Sequence, residues 1–213
     1  MGIITTIELT KRRAVIYVDG VAFLSVRRSY YEEFPLVEGE ELDEEAYLSR
    51  LSARQARAAY EDALDMLSDR DMTASGMKSA LTRRGYLDAV AESVCQRLVE
   101  NRLIDDRRFA KRYVELRGNG EVGRYALRRK LRARGIDEDT AGEALEQLDD
   151  DSQLAAATEL ARRLAQRYAA LKPYEARGKL SQALARRGYG WDVVREAVER
   201  AGLDESADWD DAP

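Results

Sequence analysis

The strongest constraint on this chain is a short segment that occurs three times. Leu81-Thr82-Arg83-Arg84-Gly85-Tyr86, Leu131-Arg132-Ala133-Arg134-Gly135-Ile136 and Leu184-Ala185-Arg186-Arg187-Gly188-Tyr189 share a leucine, basic residues, a glycine and a large apolar residue at fixed offsets. The glycines lie 50 and 53 positions apart. The residues after each glycine repeat too: Ala91, Val94, Cys95 and Leu98; Ala141, Ala144, Leu145 and Leu148; Val194, Ala197, Val198 and Ala201. Each set stands at i, i+3, i+4, i+7, which is one face of an α-helix. Each glycine therefore ends one helix in the left-handed conformation, where a Cβ would be strained. Asp88, Asp137 and Asp192 are placed to cap the next helix. Ala59-Ala63-Leu67, Phe109-Tyr113 and Leu160-Leu164-Tyr168-Leu171 mark a further helix upstream of each pair. The unit is three helices in about 45–50 residues. One unit buries too little surface alone, so neighbouring units must share a core.

The first residues differ. Ile3–Leu9, Ala14–Val18 and Val21–Val26 are rich in β-branched residues, and Asp19-Gly20 joins the second to the third. Asp-Gly between two such runs predicts a hairpin, because both turn positions need positive φ. The β-module is expected to end near Pro35, and the acidic stretch Glu38–Glu45 to start a helix capped by Asp43. The expected fold is mainly α: three tandem three-helix repeats after a small N-terminal β-hairpin module. The divisions are 1–42 for the β-module, 43–101, 102–151 and 152–203 for the repeats, and 204–213 for an acidic tail expected to be disordered.

Composition narrows the chemistry. The 213 residues include no His and one Cys. That removes the commonest general base and metal ligand, any Ser-His or Cys-His pair and any internal disulfide. No P-loop motif occurs. Cys95 occupies the slot of Leu145 and Val198, which reads as a buried structural thiol. Asp105-Asp106 open a helix, and Gly118-Asn119-Gly120 reads as a flexible connection. Tyr86, Tyr189 and Trp191 lie just after glycine caps and read as packing residues, with base stacking the alternative. No catalytic residue, metal ligand or cofactor is expected. No apolar run is long enough to span a membrane. The N-terminal charges come after a short apolar stretch, the reverse of a secretory signal, so the reducing cytoplasm is the expected compartment.

The net charge of -5 hides a block pattern. Residues 102–134 carry twelve basic and four acidic groups, and 137–151 carry eight acidic and no basic ones. Within the basic block, Arg124, Arg128 and Arg132 stand at i, i+4, i+8 and form one stripe, which Arg129, Lys130 and Arg134 widen. Leu127 and Leu131 fill the opposite, inward side. Six like charges on one short helix repel, a cost that often marks a surface for an anionic partner. The third repeat offers Arg186 and Arg187 at the matching place. The alternative is a solvated face beside the acidic 137–151 segment.

Asn101-Arg102-Leu103-Ile104-Asp105-Asp106-Arg107-Arg108-Phe109-Ala110-Lys111-Arg112-Tyr113-Val114 closely resembles the most recognisable stretch of the RecX family. Gly123-Arg124-x-x-Leu127-x-x-x-Leu131-x-x-x-Gly135-Ile136 fits the next part of that pattern, and Ala63-Leu64-x-x-Leu67-Ser68-x-Arg70 the approach to its first repeat. Val18–Phe23 resembles the N-terminal extension of longer members. Gly76-Met77 departs from the pattern, where members usually carry an acidic residue. The resemblance covers nearly the whole chain outside the tail. It implies a non-enzymatic regulator that binds the RecA filament and mainly inhibits its recombinase, ATPase and SOS coprotease activities. Some members also bind DNA, single- or double-stranded, and a monomer is expected. The other readings are a helical-repeat DNA-binding protein whose basic second helices engage phosphate, and a generic helical scaffold.

Overall fold

The structure is a computed structural model and describes residues 1–118 and 122–202. Asn119 and Gly120 of the expected connection, and the acidic tail 204–213, lie outside the described residues. Two compact units are present, 1–105 and 106–213.

The first unit begins with β1 (Gly2–Leu9), β2 (Arg13–Val18) and β3 (Val21–Arg27), antiparallel neighbours in a sheet of order β3-β2-β1-β4. Asp19 (φ +50°) and Gly20 (φ +79°) make the tight turn that the Asp-Gly pair predicts. Two elements are additions to the sequence reading: α1 (Arg28–Glu33) and the short β4 (Glu41–Leu42), which pairs with the start of β1. The sheet thus takes in part of the acidic stretch. The helix expected there, α2 (Glu44–Asp69), begins where Asp43 accepts a hydrogen bond from Ala46 N at 3.0 Å. α3 (Ala74–Arg83) and α4 (Asp88–Glu100) complete the first repeat. The sheet and this repeat share one core. Ile4, Ile16 and Val26 from the strands are buried with Leu51, Met77, Leu81 and Leu98 from the helices. A four-stranded sheet with one apolar face needs such a cover.

The second unit holds two repeats. The middle one is α5 (Asp106–Arg117), α6 (Arg124–Arg132) and α7 (Glu138–Leu145), around Ala110, Val114, Leu127, Leu131, Ala141 and Leu145. The third is α8 (Asp150–Tyr168), α9 (Pro173–Arg186) and α10 (Trp191–Arg200), around Ala157, Leu164, Leu180, Leu184, Val194 and Val198. The helical periodicity therefore placed the core correctly in all three repeats, but each repeat keeps its own cluster of buried residues, so the core expected to be shared between neighbouring repeats is instead shared by the first repeat and the sheet. Cys95 is buried in the first core, as its slot implied.

The repeated glycine does the same job each time. Gly85, Gly135 and Gly188 have φ of +88°, +78° and +84°. The next residue turns its N–H back to the leucine four before the glycine: Tyr86 N to Leu81 O, Ile136 N to Leu131 O, Tyr189 N to Leu184 O, at 3.3, 3.2 and 3.4 Å. This is the Schellman closure, and it buries the apolar residue after the glycine. The following helix starts three residues past the glycine, so the cap position is the second. Only Asp137 falls there, accepting from Thr140 N at 2.8 Å. Leu87 and Gly190 hold it in the other repeats, so Asp88 and Asp192 sit inside the first turn and are not caps.

Gly188 carries a second constraint. A Cβ there would stand 2.3 Å from Ala126 N, and one on Gly123 would stand 2.3 Å from the Gly188 carbonyl. The chain entering α6 lies directly on the end of α9, with Gly123 N donating to Arg187 O and Tyr125 N to Gly188 O, both at 3.0 Å. Gly39→Ala, at φ +87° with nothing within 4 Å of an added Cβ, should cost about 1 kcal/mol, the left-handed penalty alone. Gly188→Ala should cost about 1–3 kcal/mol more, from overpacking against α6. Urea denaturation of the two variants measures the difference; equal losses would contradict the close approach.

Candidate partner-binding surface

α6 brings together the residues that the sequence singled out. Leu127 and Leu131 are fully buried on its inner side. The stripe on its other side is not uniformly free, which corrects the expectation that Arg124, Arg128 and Arg132 simply project outward. Arg124 Nη2 donates to Leu148 O at 3.0 Å and to Asp150 Oδ1 at 2.6 Å, tying α6 to the start of α8. Arg128 Nε is shielded from solvent and lies 3.3 Å from Glu138 Oε1, and Arg132 Nε lies 3.6 Å from Glu138 Oε2. One carboxylate at the start of α7 thus serves two guanidinium groups. The acidic block following α6 supplies counter-charge to the stripe, with Glu138 and Asp150 serving its three guanidinium groups.

The other candidates divide. Arg134 packs its guanidinium 4.7 Å from the Tyr113 ring centre and donates to Lys130 O at 2.9 Å. Arg187 Nη1 donates to Ala183 O at 3.2 Å on its own helix. Arg129 and Arg186 are exposed and Lys130 is half-buried, and these three have no acidic partner among the described residues. They are charge that internal pairing leaves over.

In the first repeat the matching helix end is occupied from within. Arg13 Nη2 donates to Arg83 O at 3.3 Å, and Arg27 Nε donates to Arg84 O. Arg27 also lies over the Tyr86 ring, 4.6 Å from its centre, while Asp62 accepts from Tyr86 Oη at 2.9 Å and pairs with Arg84 at 3.0 Å. Burial, then the Asp62 bond, push the Tyr86 phenol well above its ordinary range. The β-module therefore closes the basic end of α3.

The aromatic expectations split as well. Tyr86 and Tyr189 are buried packing residues. Trp191 is 70% exposed at the start of α10, and Tyr125, which the repeat pattern does not mark, is 60% exposed at the start of α6. Tyr125 lies away from the Leu127–Leu131 face, a signal the sequence carried, whereas Trp191 stands three before Val194 and seven before Val198, so its spacing gave no sign of its exposure. Among the described residues no group of His, Cys, Asp and Glu is placed to hold a metal ion, and no helix is long and apolar enough to cross a membrane.

Fold and surface define a class: an array of three-helix repeats with glycine-closed second helices and a basic middle unit. The first, second and third three-helix domains of RecX match residues 59–98, 105–145 and 150–198, and the chain belongs to the RecX family. It is 31% identical to the regulatory protein RecX of Levilactobacillus brevis over 98% of this chain and 80% of that one. It is 38% identical to that of Thermobifida fusca over 66% of this chain and 79% of that one. A solved structure described as a crystal structure of regulatory protein RecX superimposes with a TM-score of 0.65 at 31% identity, covering 93% of this chain and 99% of the other.

The acidic side of the surface supplies a pH prediction. The Thr140 backbone N–H, and then its hydroxyl, hold the Asp137 carboxylate below its ordinary range. Asp149 is lowered by the Ser152 hydroxyl and then by its N–H. A depressed folded value means the stabilisation is present above the unfolded value of about 3.9 and is lost as pH falls through the folded value. Asp137→Asn keeps the cap without the titration. Its stability should fall less steeply than the wild type's as pH drops below about 4, by thermal unfolding across the acid range. Parallel profiles would remove Asp137 from the acid response.

Proposed function

We propose that this chain binds the RecA filament and modulates it, mainly by inhibition of its recombinase, ATPase and SOS coprotease activities. The observation that carries this reading is the match of all three RecX three-helix domains, in order. The proposed contact surface is Arg124, Arg128, Arg129, Lys130, Arg132, Arg134, Arg186 and Arg187. Within it, Arg129, Lys130 and Arg186 contribute most, because their side chains are tied neither to this chain's carboxylates nor, as Arg134 and Arg187 are, to its backbone carbonyls. Several weak contacts along a periodic filament add through effective concentration. The role is regulatory and not catalytic.

Direct DNA binding is the second reading, favoured by the same three unpaired cations, which could serve phosphate equally well. Arg129→Glu, Lys130→Glu and Arg186→Glu combined should leave the thermal midpoint within about 4 °C of wild type, since surface changes of this kind cost little. In a titration of RecA-coated single-stranded DNA, the same triple variant should need about tenfold more protein to inhibit ATP hydrolysis, equivalent to losing three exposed charge contacts. Binding to bare single-stranded DNA, measured alongside, separates the readings. Loss of inhibition with bare-DNA binding unchanged supports the filament as target, and parallel losses support phosphate. Undiminished inhibition by the folded variant would discard this surface.

A further inference from the structure

One end of the N-terminal sheet gathers seven cations that the α6 surface does not include. Lys11 and Arg12 form the turn between β1 and β2, Arg13 begins β2, Arg27 ends β3 and Arg28 begins α1. The end of α3 adds Arg83 and Arg84. Hydrogen bonds hold these segments side by side. Arg28 N donates to Arg12 O at 2.9 Å, and Arg28 Nη1 to Thr10 O at 3.3 Å. Arg13 and Arg27 are cross-strand partners, and Arg13 Nη2 reaches across to Arg83 O. Within the turn, Thr10 N donates to Arg13 O at 2.8 Å and Thr10 Oγ1 accepts from Arg13 N at 2.9 Å, so its backbone is fixed.

Counter-charge is short here. Two carboxylates answer the seven cations: Glu32 pairs with Arg28, and Asp62 with Arg27 and Arg84. Glu8 on β1 is directed to Tyr17 Oη at 3.3 Å. Arg13 is engaged by the Arg83 carbonyl and by Ser25 Oγ. Lys11, Arg12 and Arg83 are exposed, and their side chains have no acidic partner among the described residues. Cations at the end of α3 offset its negative pole, which accounts for Arg83 and Arg84 on local grounds. That account does not reach Lys11 and Arg12, which belong to no helix. Like charges held on a fixed surface repel, so their grouping is a cost that the fold itself does not need.

The composition of the patch selects its ligand. All but Lys11 are arginines, whose planar fork matches phosphate oxygens two at a time. The three unengaged cations stand on two different elements, so an extended polyanion can meet each with a separate phosphate. A lipid surface takes an apolar face as well as cations, and Leu9 is the sole apolar side chain beside this turn. We propose that this end of the β-module binds the phosphodiester backbone of a nucleic acid, with Lys11, Arg12 and Arg83 contacting phosphates. Arg13, Arg27 and Arg28 hold the surface in place. The site is separate from the α6 cations and stands whether those meet the filament or DNA.

The test is binding of the full chain to a fluorescein-labelled oligothymidylate, followed by anisotropy over a series of salt concentrations. K11A/R12A/R83A should weaken binding by about tenfold and lower the slope of log affinity against log salt by about 2, the value for three phosphate contacts on a single strand. R83A alone, which removes a side chain bonded to nothing else in the chain, should lower the slope by about 0.7. R12K/R83K keeps the charge and should keep the slope. Added to R129E/K130E/R186E, the three alanine changes should lower the slope by the same amount as in the wild type, which separates this site from α6. Absence of binding by the wild type, or an unchanged affinity and slope in the folded variants, would overturn the proposal. So would a loss confined to vesicles containing phosphatidylserine. RecA is absent from this measurement, so its failure would leave the filament reading standing.

Discussion

The second helix of each repeat ends in backbone carbonyls that no intrahelical donor can reach, and the structure is arranged around satisfying them. The left-handed glycine takes care of the leucine carbonyl by folding the next N–H back onto it. The carbonyl one step further takes the glycine's own N–H, and those beyond it need donors from elsewhere. In the first repeat Arg13 and Arg27 of the sheet supply them. In the third repeat the supply is the backbone of the middle repeat itself, Gly123 N and Tyr125 N. Those two N–H groups belong to the start of α6, where a helix has orphan donors of its own. Each end thus completes the other, and the opposed ends of the two helix dipoles meet favourably. A glycine on each side lets the backbones approach closely enough.

Charge is set by the same geometry. Bringing α6 against α7 and the start of α8 sets a basic helix beside the most acidic segment of its unit. Arg124, Arg128 and Arg132 are consumed by Asp150 and Glu138. Pairs this exposed add little stability each, but they decide which charges remain available. Arg129, Lys130 and Arg186 are left without an acidic partner among the described residues, and Asp151 and Asp192 without a cationic one. The net charge says nothing of this, because it averages two surfaces of opposite sign.

Much of the fold was legible because its signals are local. Glycine at positive φ, the Asp19-Gly20 turn and the apolar stripes depend on neighbours a few residues away. α1 and β4 were not legible, since a two-residue strand has no periodicity and exists through pairing with β1. Asp88 and Asp192 were misjudged as caps because the offset from glycine to the next helix start is set by the Schellman closure, not by the nearest acidic residue. The Arg124–Asp150 and Arg128–Glu138 pairs were hidden because they depend on how α6 packs against the elements after it. Family pattern supplied what local physics lacked, namely a partner. It did not distinguish spent cations from available ones, nor mark Tyr125 and Trp191 as exposed.

The central claim is that the start of α6 and the end of α9 are one hydrogen-bonded junction. Native-state hydrogen exchange of the Gly123 and Tyr125 amides tests it most directly, because both would exchange freely at an isolated helix start. The account predicts protection comparable to that of the Leu180 and Leu184 amides inside α9, with both sets opening together as urea is raised. Exchange of Gly123 and Tyr125 at loop-like rates, while the α9 amides stay protected, would contradict it.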